Sequence, residues 1–163
     1  MISKKSFFIL AGIVFLTLIM FVPMTQAQQP IDSISCGFTT LSTILSSPEL
    51  TIFGTEEKGI NLDNLASKDA GNLTYHSVGV LKIERGKMTG TYYFKYMDPS
   101  GDLMVGETSS VGMEGNWKYL YGTGKYKGIT GGGKLVPITK GVPISPGTLQ
   151  GCVKITGTYE LKK

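Results

Sequence analysis

Beyond an apolar opening run, the chain shows no sustained apolar repeat of helical period. Short runs rich in β-branched and aromatic residues are instead separated by glycine, proline and acidic turn residues. That pattern predicts an antiparallel all-β protein. Glu49–Glu57 (ELTIFGTEE) reads as a strand, and Gly59–Gly71, polar and turn-rich, reads as a loop. Leu73–Glu84 and Met88–Met97 read as a strand pair around Arg85-Gly86-Lys87. Asp98-Pro99-Ser100-Gly101-Asp102 is a turn, because proline presets φ and glycine tolerates the left-handed conformation. Leu103–Gly112 returns as a strand. Asn116–Leu120 and Lys125–Ile129 read as a further pair around Gly122-Thr123-Gly124. Gly131–Gly133 predicts a bend or bulge, Val142–Gly147 an extended loop, and Leu149–Leu161 a closing strand. A short turn near Thr39–Leu45 is the one helical expectation.

The opening run changes the picture of the whole chain. Lys4 and Lys5 precede the uncharged stretch Phe7–Val22, and Thr25-Gln26-Ala27 supplies small residues at −3 and −1 of a cleavage site. Residues 1–27 therefore read as a secretory signal peptide, and 28–163 as a single β domain, a sandwich or a barrel. An uncleaved anchor fits less well, since the run is short of the roughly 20 residues that span a bilayer. The leader carries two lysines and no acid, so the formal charge falls from +4 to +2 on cleavage. The lysines that remain are spaced out, as at Lys118, Lys125, Lys127 and Lys134, with no basic cluster suited to nucleic acid. No membrane association is expected after cleavage.

Two cysteines, Cys36 and Cys152, are left in a compartment that oxidises thiols, and an even count suggests a bridge. Two free thiols at a metal site would need partners, and no His, Asp or Glu cluster accompanies them. No metal or other cofactor is expected. Gly128–Lys134 (GITGGGK) imitates a phosphate-binding loop, but Leu135 follows where Ser or Thr is needed. Pro137, Pro143 and Pro146 also forbid the helix that such a loop requires. His76 is the single histidine, and no Gly-x-Ser-x-Gly elbow occurs. The aromatic strands are more informative. Tyr92, Phe94 and Tyr96 share one face, and Trp117, Tyr119 and Tyr121 repeat the pattern. These rings suit either a filled core or a pocket for an amphipathic ligand lined by Tyr92, Phe94, Tyr96 and Trp117.

The segment Gly115–Gly133 (GNWKYLYGTGKYKGITGGG) resembles the glycine-rich hairpin of the allene oxide cyclase and dirigent barrel superfamily, in particular its bacterial secreted members. Tyr126 stands where that pattern prefers phenylalanine. The resemblance extends to the turn at Asp98–Asp102 and to Pro146–Leu161. It implies a closed antiparallel eight-stranded barrel, calycin-like, with an apolar lumen. First and last strands would then be neighbours, which fits a bridge between Cys36 and Cys152. Plant allene oxide cyclases place an acidic residue in the barrel. The acid nearest the middle of a predicted strand here is Glu107, the one catalytic candidate, whose alternative is an outward solvated carboxylate. Two functions follow. One is a secreted or periplasmic barrel that binds a small apolar or amphipathic molecule, or a partner protein, without catalysis. The other is a cyclase or isomerase acting on an oxidised lipid or phenolic substrate. Dirigent-like barrels tend to associate through their outer faces, so a homo-oligomer is compatible with either.

Overall fold

The computed structural model describes residues 28–63 and 73–162. The expected signal peptide lies outside the described residues, as does 64–71 of the expected 59–71 loop. The strands are β1 (Gln29–Ser46), β2 (Leu50–Asp63), β3 (Leu73–Glu84), β4 (Lys87–Met97), β5 (Leu103–Val111), β6 (Glu114–Gly122), β7 (Ile129–Lys140) and β8 (Thr148–Leu161). Each pairs antiparallel with its neighbours in sequence, and β1 pairs with β8, so the sheet closes on itself. The closed eight-stranded antiparallel barrel expected from the resemblance is the fold. Among the described residues no helix is long and apolar enough to cross a membrane.

Local chemistry sets the turns. Arg85 and Gly86 have φ of 48° and 78°, the doubly left-handed pair whose twist matches two flanking strands. Asp98 organises the next turn. Its Oδ1 accepts hydrogen bonds from the Ser100 amide at 2.9 Å, the Ser100 hydroxyl at 2.7 Å and the Asp102 amide at 2.9 Å. Lys125 Nζ stands 2.5 Å from its Oδ2. The Lys125 ammonium, with Ser100 and the Asp102 amide, holds the Asp98 carboxyl well below the usual carboxylate range against the opposing effect of desolvation.

Four expectations change. The stretch around Thr39–Leu45 is strand: Thr39 and Thr40 are β-branched rungs between β2 and β8, and Thr43 pairs with Phe53 of β2. Residues 59–63, expected as loop, continue β2. Residues 125–128 form no strand, and Ile129 opens β7 instead. Gly124 takes φ of 49°, the Lys125 amide donates to Asp102 Oδ2, and a 3-10 turn forms over Gly124–Tyr126. Finally, Gly131–Gly133 neither bends nor bulges, but pairs in regular register with Tyr159, Thr158 and Gly157. Its glycines serve close approach instead. A Cβ on Gly133 would collide with the Thr156 carbonyl, and one on Gly157 would meet Trp117 Cζ2 at 2.8 Å. The large Trp117 ring therefore lies over a bare stretch of the β7–β8 wall.

Strand directions bring the turns 47–49, 85–86 and 112–113 and the loop 141–147 to one end of the barrel. At the opposite end Leu73, Met104 and Ile129 are buried in a core that also includes Ile155 and Tyr96. Alternation is inverted on part of the wall. Ser33, Ser35 and Asn61 are buried inside, while Ile34, Ile60 and Leu62 stand exposed outside. Cys36 and Cys152 are register partners across the β1–β8 seam and are joined by a disulfide.

Candidate functional site

The inward side chains leave an open cavity of about 290 Å³ in the lumen. That is near the lower end of the sizes that hold small molecules. Gly112, Met113, Lys140 and Leu149 line it at the turn-rich end, which makes that end the mouth. Leu73, Met104 and Ile129 fill the barrel beyond its floor.

The wall has two chemistries. From β6 to β8, Trp117, Leu135, Pro137, Val153 and Ile155 present apolar surface, with Thr139, Lys140 and Gln150 adding polar groups towards the mouth. From β1 to β3, Ser35, Glu57, Asn61, Tyr75 and Ser77 present hydroxyl, carboxyl and amide groups. Tyr92, Phe94 and Tyr96 of β4 join the two sides. The rings run in sequence: Tyr75 to Tyr96 at 5.7 Å between centroids, Tyr96 to Phe94 at 5.2 Å, Phe94 to Tyr119 at 6.2 Å, and Tyr119 to Trp117 at 5.0 Å. Tilted and edge-on pairs at such distances are the favoured aromatic arrangements.

Glu57 is the acid of this lumen, and two glycines place it. Gly37 faces Gly59 across β1 and β2, and Gly59 faces Tyr75 across β2 and β3. A Cβ on Gly37 would strike the Tyr75 hydroxyl, and one on Gly59 would meet Tyr75 Cε1 at 2.7 Å. The paired glycines thus clear a shelf on which the Tyr75 ring lies. Its hydroxyl donates to Glu57 Oε1. Nearby, the Tyr96 hydroxyl lies 3.4 Å from Ser35 Oγ. Asn61 is 6 % exposed, and its Oδ1 has no hydrogen-bond partner.

Burial raises the Glu57 carboxyl above the usual carboxylate range, and the Tyr75 hydrogen bond partly offsets this. Burial and the neighbouring Glu57 push the Tyr75 hydroxyl far up, and burial pushes Tyr96 up to about 12. The tyrosines therefore stay protonated and able to donate near neutral pH. A carboxyl raised on folding contributes its stability below its ordinary pKa of 4.5 and loses it as pH climbs through the raised value. Glu57→Gln keeps an acceptor for Tyr75 and carries no charge. Its melting temperature is expected to exceed that of the wild type at pH 8, with the gap closing towards pH 4.5. A gap that widens on acidification would contradict the burial of this acid.

The side chains named from sequence are placed as follows. Tyr92, Phe94, Tyr96 and Trp117 all line the cavity. Glu107 does not. It sits between the inward Gly106 and Thr108 and pairs with Lys118 at 2.9 Å on the outer face. Tyr121 also departs from its expected face, because a bulge between Tyr119 and Tyr121 turns it outward to 61 % exposure. Glu57, Asn61 and Tyr75 were not singled out from sequence. The available signal was parity: read as one strand, Glu57, Gly59 and Asn61 share a face. His76 lies 3.0 Å from Glu56 on the barrel wall, outside the cavity lining. Among the described residues no cluster of three or more His, Cys, Asp or Glu could hold a metal.

No family model matches the chain, and no curated protein matches it in sequence. Two solved structures, both of pterocarpan synthase dirigent proteins, are similar to it. One has 12% identity and a TM-score of 0.45, covering 84% of this chain and 93% of the other. The second has 9% identity and a TM-score of 0.46, covering 84% of this chain and 97% of the other.

Proposed function

We propose that this protein is an exported barrel that binds a small amphipathic molecule in its lumen without transforming it. The observation that carries the reading is the open cavity, apolar along β6–β8 and polar along β1–β3. A ligand with an apolar body and one polar edge would match both sides. The Cys36–Cys152 bridge supports export, since such bonds persist in oxidising compartments. A leader at residues 1–27 would take the chain there. The cyclase or isomerase reading retains one supporting observation, the Glu57–Tyr75 pair inside the cavity. A barrel of that kind would act mainly by holding one conformer of its substrate.

Trp117 is the single tryptophan of the chain and lines the cavity, so its fluorescence reports on occupancy. The test is to titrate the purified 28–163 domain with a panel of fatty acids, phenols and alkyl amines, following fluorescence and thermal unfolding together. At a ligand concentration of 100 Kd, binding to the folded state alone adds about 2.7 kcal/mol. At least one compound should quench or shift Trp117 and raise the melting temperature. A panel that moves neither signal would remove the ligand-binding reading. Chromatography of the bound compound after incubation separates the two functions: unchanged ligand supports binding, and a rearranged product supports the isomerase.

A further inference from the structure

We infer that the molecule held in the lumen carries a protonated amine, paired with Glu57, and turns its apolar body towards Trp117 and Leu135. The inference rests on the lumen being a ligand site and adds the charge of the ligand. Three observations support it.

The polar side of the cavity is unbalanced. Glu57 is its acid, and among the described residues no cation lies within salt-bridge distance of that carboxyl. Its partner is the neutral Tyr75 hydroxyl. Lys140 is the one basic residue of the lining, and it stands exposed at the mouth. A buried carboxyl without a counter-charge is costly when ionised. A cation supplied by the ligand would relieve that cost and gain a charge-assisted hydrogen bond.

Asn61 gives an independent indication. It lies four residues along β2 on the same face as Glu57, lines the same cavity, and is 94 % buried by its 6 % exposure. Its Oδ1 is an acceptor with no donor. A buried acceptor left without a partner is unusual and calls for one. The carboxyl and the unpartnered amide oxygen are two acceptors set among the Ser35, Ser77 and Tyr96 hydroxyls, so this side can receive a donor-bearing head group, and the carboxyl disfavours an anionic one. The aromatic rings add to the same preference, since their faces attract cations.

The experiment compares octylamine, 1-octanol and octanoate, which share one chain length and differ in the head group. Binding is followed by Trp117 fluorescence near neutral pH in wild type, Glu57→Gln and Tyr75→Phe. One charge-assisted hydrogen bond corresponds to about tenfold in affinity. Octylamine should bind about tenfold tighter than 1-octanol, and octanoate weakest of the three. Glu57→Gln should bring amine and alcohol to near equality. Tyr75→Phe keeps the acid and frees its oxygen, so the amine preference should persist there. Equal binding of amine and alcohol in wild type, or a preference for octanoate, would overturn the amine assignment while leaving the lumen a ligand site. Binding of none of the three, with no response from the wider panel either, would remove the ligand site itself.

Discussion

Replacing Cys36 and Cys152 together by serine is expected to lower the unfolding free energy by up to about 4–5 kcal/mol. The two residues are 116 apart in sequence, so the bond closes a loop covering nearly all of the folded chain. In the chain-entropy account the stabilisation comes from restricting the unfolded state, and it grows with loop length. A domain of this size has roughly 5–15 kcal/mol to lose. The native barrel should survive the change, because the β1–β8 seam is also paired by its backbone from Gln29–Tyr159 to Thr40–Thr148. Urea unfolding with and without a thiol reductant checks this. The wild-type midpoint should fall on reduction to that of the double serine variant, and the variant should ignore the reductant. A wild-type midpoint unmoved by full reduction would contradict the account.

Trp117→Ala is the second large effect, at about 3–5 kcal/mol. The ring is 6 % exposed, packs edge-on against Tyr119 at 5.0 Å, and reaches across to the wall where Gly157 has no side chain to obstruct it. Its indole N–H donates to the Lys134 carbonyl at 3.3 Å. The complementary change is Gly157→Ala, which would press a methyl onto Trp117 Cζ2 and the Gly132 carbonyl. Such overpacking typically costs about 1–3 kcal/mol. The two changes share the Trp117 contact, though not the nearer one with the Gly132 carbonyl, so their combination should cost less than the sum of the two, by more than the roughly 0.3–0.5 kcal/mol scatter of independent sites. Denaturant titration of the two single variants and the double variant measures this. Strict additivity would mean that the ring and the glycine do not share the contact.

The sequence was most readable where alternation followed the ordinary rule. In β4, Phe94 and Tyr96 face in while Tyr93 and Met97 face out, as the two-residue period requires. At β1 and β2 the polarity of the two faces is reversed. There the interior takes Ser33, Ser35 and Asn61 and the exterior takes Ile34, Ile60 and Leu62. Polar residues facing a cavity look, in sequence, like a loop, which is how the stretch with Asn61 reads, while Glu57 ends a predicted strand with nothing in its composition to mark it as inward. Glu107 lies on a strand that does alternate regularly, but its parity puts it on the outside with Lys118. The misplacement of Tyr121 has a different cause. A bulge shifts the period by one residue without leaving any mark in composition. The glycines were visible as a count but not as a design. Gly37 and Gly59 make room for Tyr75, and Gly157 makes room for Trp117, on strands distant in sequence.

The filled end of the barrel, with Leu73, Met104 and Ile129 beneath the cavity floor, bears on how the proposed ligand would come and go. Among the described residues that end is packed with side chains, so a molecule bound in the lumen would enter past Met113 and Lys140 and leave by the same route. A newcomer would have no rear entrance through which to push out the occupant. Exchange would then wait for spontaneous departure, at a rate that does not depend on how much competitor is waiting outside.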